Sequence, residues 1–344
     1  MITVFGLMAA LWGLGAWLRT PVALRWGMIG AVWLAMVGLH LGLPAAHPLR
    51  LATGGEARVW LAVGVVAGLV FGYRKLLVLL RKRAVPVTAA PDAAFRPAEV
   101  DRYARHILLR EIGGPGQRRL KDAKVLVVGA GGLGSPALLY LAAAGVGVIG
   151  VIDDDVVEAS NLQRQIIHTD QRIGEAKVQS AATAVKALNP FIEVRPYQRR
   201  LTDEIAAGLI GAYDLVLDGC DNFDTRYLVN RVCAEAGKPL ISGAITQWEG
   251  QVSLFDPARG SPCYECVFPV RPAPGMVPSC AEAGVAAPLP GIIGALMAME
   301  AVKHITGAGR TLAGRLMIHD ALNAEVRVIG IKRRDGCPVC GARH

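Results

Sequence analysis

Lys124-Val125-Leu126-Val127-Val128 runs directly into Gly129-Ala130-Gly131-Gly132-Leu133-Gly134, and this junction decides the fold. A short β-branched run, a G-x-G-x-x-G loop and a following helical stretch over 135–144 form the arrangement in which backbone N–H groups and a helix N-terminus meet phosphate. A second strand expected over 148–152 ends at Asp153, near the spacing of a ribose-binding carboxylate. These features alone suit a nicotinamide dinucleotide as well as they suit ATP.

The residues beyond the second strand separate the two. Asp153-Asp154-Asp155 leads to Ser160-Asn161-Leu162-Gln163-Arg164-Gln165 and then to Lys177 on the next predicted helix. After a strand expected over 214–217 comes Asp218-Gly219-Cys220-Asp221-Asn222. A dinucleotide-dependent oxidoreductase has little use for Asn, Arg and Lys at these places. A triphosphate carries roughly four negative charges, and cleavage at its α-phosphate adds charge to the departing pyrophosphate, which Arg and Lys stabilise while an acid such as Asp221 holds Mg²⁺. Each residue alone has a blander reading: an Asp at a strand end caps a turn, a helical Lys is solvated, and Arg105 is one member of a charged helix face. The ordered set favours chemistry.

The motifs, in order, resemble the MoeB/ThiF family and, more distantly, the adenylation domains of ubiquitin-activating enzymes. They are Arg102-Tyr103-Ala104-Arg105, the GAGGLG loop, DDD, SNLQRQ, Gly174-Glu175-Ala176-Lys177-Val178 and DGCDN. The resemblance covers residues from about 100 to the C-terminus. It implies an α/β fold with a Rossmann-like mixed sheet. It also implies that Gly129, Gly131, Gly132, Leu133 and Gly134 line the phosphates and that Asp153 holds the ribose. Asn161, Arg164 and Lys177 would reach phosphate oxygens, Asp221 would bind the Mg²⁺, Ser160 and Asn222 would join the nucleotide-binding set, and Arg105 would act on the nucleotide of a second subunit in a homodimer.

Two C-x-x-C pairs, Cys263/Cys266 and Cys337/Cys340, supply four thiolates, the ligand set of a closed, structural tetrahedral Zn²⁺ site. The gap between the pairs exceeds that of a compact zinc ribbon, so tertiary structure must close it, with strands expected over 316–319 and 325–331 returning the chain. A redox dithiol pair is the rival, and a reducing compartment disfavours it. Cys280 stands apart in Ser279-Cys280-Ala281-Glu282, after a proline-rich run, at the place of the family's reactive cysteine; with a lowered pKa it would attack an acyl adenylate or take part in a persulfide-linked intermediate. Cys220 and Cys233 read as buried small residues.

Composition divides the chain. Hydrophobic residues make up 53% of it, and the excess is local: from Met1 to Tyr73 the charged residues are Arg19, Arg25, Arg50, Glu56 and Arg58 alone. Apolar runs over 2–18, 26–43 and 59–80 each approach the ~20 residues that cross a bilayer, and residues 1–83 are expected to form about three transmembrane helices, with Arg74 and Lys75 free to snorkel if the last ends near Tyr73. Trp12, Trp17, Trp26, Trp33 and Trp60 suit interfacial belts. The net charge of +9 concentrates at Arg74, Lys75, Arg81, Lys82 and Arg83, without the aromatic interleaving of a nucleic-acid surface. That cluster places the following domain at the cytoplasmic face of an inner membrane. Residues 84–97 read as a Pro/Ala linker, and 98–344 as the adenylyltransferase domain.

The implied reaction joins the C-terminal carboxylate of a ubiquitin-like sulfur-carrier protein, ending in Gly-Gly, to AMP, in molybdopterin or thiamine biosynthesis. A carboxylate is ionised at neutral pH, so no general base is required, which accounts for the lack of an obvious catalytic histidine. Four residues follow Cys340, so the sulfur donor is expected to be a separate protein. The rivals are an NAD-dependent oxidoreductase and a membrane-anchored scaffold that binds a ubiquitin-like protein without turnover.

Overall fold

The computed structural model describes residues 1–54, 56–83, 95–273 and 283–341. Two compact units are present, Met1–Pro91 and Asp92–His344.

Apolar helices make up the first unit: α1 (Ile2–Trp17), α2 (Val22–Gly42), the short α3 (Pro48–Thr53) and α4 (Ala57–Arg83). Two of the three expected spans, Val22–Gly42 and Ala57–Leu77, have the length and apolarity to cross a membrane. The third, α1, has 16 residues and spans about 24 Å at 1.5 Å per residue, short of a hydrocarbon core of about 30 Å. Nor does α4 end near Tyr73; it continues through Arg74 and Lys75 to Arg83, because nothing in that run breaks a helix. Several polar groups find partners within the unit. The Trp33 indole N–H donates to the Trp60 carbonyl (2.9 Å), the Trp60 indole to the Gly54 carbonyl (3.2 Å), and Arg50 to the Leu43 carbonyl (2.8 Å).

The second unit opens with α5 (Pro97–Ile107) and α6 (Gly113–Asp122). Then β1 (Lys124–Val128), α7 (Gly134–Ala144), β2 (Val148–Ile152), α8 (Lys177–Leu188), β3 (Glu193–Tyr197), α9 (Asp203–Gly211), β4 (Leu215–Asp218), α10 (Phe223–Ala236) and β5 (Leu240–Ile245) alternate. The chain ends with β6 (Glu249–Phe255), the short α11 (Tyr264–Val267), α12 (Pro288–Thr306), β7 (Arg315–Asp320) and β8 (Glu325–Gly330).

Among the described residues eight strands form one sheet in the order β3-β2-β1-β4-β5-β6-β7-β8. The first five pair in parallel and the last three join antiparallel, a mixed sheet as expected. Val125 to Val128 are buried on both faces, which is why β1 is apolar throughout rather than alternating. One core, built on α7, α8 and α12, covers one face; a second, built on α9 and α10, covers the other. The strand β3 was not foreseen from the sequence, where Pro196 interrupts an edge strand that lies outermost in the sheet.

Strand order reverses between β1 and β4, where β1 is flanked by β2 on one side and β4 on the other. Ligands of open α/β sheets bind at such a point, outside the carboxyl ends of the strands. There the glycine loop, the DDD segment and DGCDN all emerge.

Candidate functional site at the strand-order switch

Two glycines set the loop's course. Gly129 has φ +94°, the left-handed region that L side chains avoid, and a Cβ on Gly134 would stand 1.9 Å from the Gly129 carbonyl oxygen. Chain and helix can therefore pack close enough to leave an N–H-lined cradle at the start of α7. The Leu133 side chain is buried in the core, so it offers this cradle only its backbone.

Asp153 leaves β2 beside that loop. Its Oδ2 accepts the Ala130 N–H (2.8 Å) and its Oδ1 the Asp155 N–H (2.9 Å). Burial raises its pKa, while these two N–H groups and Lys177 oppose the shift. A carboxylate held at the mouth of the glycine loop suits a ribose hydroxyl.

The SNLQRQ segment crosses the same opening. Arg164 donates from Nη1 to the Ser160 carbonyl (3.1 Å), and a Cβ on Gly132 would lie 3.8 Å from Arg164 Cγ, so Arg164 does flank the loop. Asn161 is buried and donates to the exposed Ser160 hydroxyl (3.3 Å). Gln165 is 5% exposed and its Oε1 has no partner among the described residues. Lys177, the first residue of α8, is buried and ion-paired to Asp155 (2.7 Å).

The DGCDN segment divides its labour. Asp218 is fully buried; it accepts from the Ser242 hydroxyl (3.0 Å) and pairs with Arg226 (3.0 Å), a buried arginine four residues beyond Asn222. Burial works against the Arg226 charge, and Asp218 foremost restores it, so its pKa is raised. Asn222 Oδ1 accepts the Thr225 N–H (2.9 Å) and so caps α10. Asp221 is exposed and makes no hydrogen bond or ion pair among the described residues, which leaves its carboxylate available to a cation. The Asp218–Arg226–Ser242 cluster escaped the sequence reading, since nothing in the spacing shows that an arginine on α10 turns inward.

Arg105 lies exposed on α5 with no hydrogen bond or ion pair among the described residues. Cys280 lies outside the described residues. The flanks of that segment are anchored: Arg271 pairs with Asp224 (2.8 Å) and stacks over the Tyr227 ring, and Gln163 donates to the Val285 carbonyl (3.2 Å). Cys220 and Cys233 are buried and burial pushes both thiols up, away from thiolate reactivity.

The two cysteine pairs do converge. Cys263 Sγ lies 3.8 Å from Cys266 and 3.6 Å from Cys337, and Cys266 lies 3.4 Å from Cys340. Metal–sulfur bonds of ~2.3 Å in a tetrahedron require sulfur separations of about 3.8 Å, so the four thiols fit one ion. At Cys337 burial opposes the thiolate, and the N–H groups of Cys340 and Val339 with the neighbouring thiols bring it down to about 7. The antiparallel hairpin of β7 and β8 returns the chain, as the sequence suggested.

A model of the ThiF family matches residues 103–339. The sulfur carrier protein adenylyltransferase of Thermus thermophilus is 51% identical over 247 residues, covering 71% of this chain and 91% of that protein. The probable adenylyltransferase/sulfurtransferase MoeZ of Mycobacterium tuberculosis is 49% identical over 257 residues, 74% of this chain and 66% of that one. Among solved structures, Escherichia coli MccB with a bound MccA derivative superposes with a TM-score of 0.63 at 24% identity, covering 70% of this chain and 74% of that chain, a likeness of fold. Motif order, sheet topology and sequence identity agree: the chain belongs to the ThiF family.

Proposed function

We propose that this chain is an ATP-dependent adenylyltransferase that activates the C-terminal carboxylate of a ubiquitin-like sulfur-carrier protein. The observation that carries the reading is the division of charge at the switch point. Asp218 is neutralised by Arg226, whereas Asp221 is exposed and unpaired among the described residues, at the same end of the sheet as a loop flanked by Arg164 and an Asp155 paired to Lys177. A site for a neutral or lightly charged ligand would not need cations of this kind.

A carboxylate oxygen of the carrier attacks the α-phosphorus, the bond to the β-phosphate oxygen breaks, and pyrophosphate leaves with both electrons. Catalysis is positioning and charge stabilisation. Glycine-loop amides and the α7 N-terminus receive phosphate oxygens, Asp153 takes the ribose, and Arg164 and Lys177 meet the charge that grows on the leaving group. Asp221 would hold Mg²⁺, which neutralises part of the triphosphate charge when bound. The Gly-Gly end of the carrier fits a narrow approach because it lacks side chains. Arg105, exposed on α5, is available to the nucleotide of a second subunit in a homodimer.

The four thiols are assigned to zinc, which staples the tail after β8 to the α11 segment and takes no part in chemistry. Residues 1–83 are read as a membrane anchor. The outward faces of α2 and α4 carry Leu34, Leu41, Val65, Leu69 and Phe71, each exposed, a surface that water disfavours and lipid accepts. Arg81 to Arg83 set the cytoplasmic side.

The test is ATP–pyrophosphate exchange by the purified chain, offered candidate carriers ending in Gly-Gly. Exchange that depends on a carrier supports the reading; preferential uptake of a nicotinamide dinucleotide overturns it.

A further inference from the structure

Ala130, the second residue of the glycine loop, is held on both sides. Its N–H donates to Asp153 Oδ2 (2.8 Å), and its carbonyl lies 2.9 Å from Nε2 of His168. The other ring nitrogen, Nδ1, lies 2.9 Å from the Ser180 hydroxyl. A carbonyl only accepts, so Nε2 carries a proton, and in the neutral ring Nδ1 accepts from Ser180. His168 is 5% exposed and Ser180 fully buried.

Ser180 sits on α8 three residues after Lys177, one turn along the same face. Lys177 in turn donates its backbone N–H to the Asp155 carbonyl (3.0 Å) and its ammonium to the Asp155 carboxylate (2.7 Å), and the Asp155 N–H donates to Asp153 Oδ1 (2.9 Å). The bonds therefore close a circuit: Ala130, Asp153, Asp155, Lys177, Ser180, His168 and back to Ala130. Four separate stretches of chain meet in it.

We propose that His168 is a positioning residue for nucleotide binding, its imidazole tying the glycine loop to the helix that begins with Lys177. The phosphate cradle and the lysine are thereby held as one prepared unit, and the ordering of the loop precedes ATP rather than being charged against its binding. Nothing in the ring touches the nucleotide. The proposal rests on the ATP-dependent reading above.

The experiment compares wild type with His168→Phe, His168→Asn, His168→Gln and Ser180→Ala in the full chain. Two quantities are read: KM for ATP and kcat in carrier-dependent pyrophosphate exchange, and backbone amide exchange across residues 129–134 without nucleotide. Phe fills the space but bonds to neither partner, and Asn reaches Ser180 but not Ala130. Both should raise KM for ATP about tenfold, the factor that 1.4 kcal/mol represents, with kcat changed far less. Both should also speed amide exchange in the loop. Gln, whose amide nitrogen reaches as far as Nε2, should recover most of the lost affinity. Should His168→Phe fail to fold, Ser180→Ala, which keeps the ring and releases only its far side, should still raise KM by about threefold. Wild-type exchange with KM unchanged in the Phe, Asn and Ala variants overturns the tether, as does a fall in melting temperature without a change in KM. No ATP-dependent exchange by wild type overturns the adenylation reading, and with it the nucleotide role of His168, whatever the loop amides do.

Discussion

The Lys177 ammonium rests 2.7 Å from the Asp155 carboxylate, the lysine buried and the aspartate two-thirds exposed. A buried cation needs a partner, but an exposed carboxylate is one that an incoming anion can replace or share. The pair thus keeps Lys177 partnered and held in place while the site lacks phosphate.

If Lys177 serves the leaving pyrophosphate, Lys177→Ala should lower kcat of exchange by about 100-fold, the usual cost of deleting one preorganised charge donor. Asp155→Asn should cost much less, since it removes the placeholder and leaves the cation. Steady-state kinetics of the two variants decides this, and equal losses would contradict the assignment.

Asp218 and Asp221 should fail in opposite ways. Arg226→Ala strands the fully buried Asp218 carboxylate and should destabilise the fold by about 3–5 kcal/mol, seen as a lowered urea midpoint. Asp221→Ala, at an exposed position without a hydrogen bond or ion pair among the described residues, should leave the midpoint in place and abolish exchange. An active Asp221→Ala enzyme would remove Asp221 from the site.

Metal content gives a third check. The purified chain should contain about one zinc per monomer by atomic emission, and Cys263→Ser should lose it together with several degrees of melting temperature. Zinc retained in a Cys263→Ser, Cys337→Ser double variant would show that the ion sits elsewhere.

Stability should fall in mild acid, and His168 should contribute. Burial lowers its pKa first, with the Lys177 and Arg172 charges adding to the shift and the Ala130 carbonyl opposing it. An unfolded histidine takes up its proton near pH 6.5, so below that value the unfolded chain binds protons that the folded one refuses. The stability is complete above about pH 6.5 and is lost as pH falls towards the folded pKa. Melting temperatures from pH 7.5 to 5.5 should therefore fall less steeply in His168→Gln than in wild type; parallel curves would refute the contribution.

Cell fractionation tests the anchor. The full chain should sediment with membranes and resist alkaline extraction, whereas residues 92–344 alone should remain in the supernatant and retain exchange. Full-length protein recovered without detergent would remove the anchor.

Sequence alone determined what local covalent pattern controls. The β1–glycine loop–α7 unit follows from an apolar run and from Gly129 and Gly134, whose places admit no side chain, and the bounds of β1 and β2 coincide with expectation. The two C-x-x-C pairs announce a four-thiol centre whatever the path between them, because the ligand set is fixed by residue type. Tertiary structure decided which like residues differ in role. Asp218 and Asp221 stand three positions apart and read alike, yet the sheet buries one against Arg226 and turns the other outward. Nothing in the spacing sets His168 apart, and it became a link only when α8 brought Ser180 to one side of the ring and the loop after β1 brought Ala130 to the other. Burial and partnership come from strands and helices distant in sequence, and a linear pattern records neither.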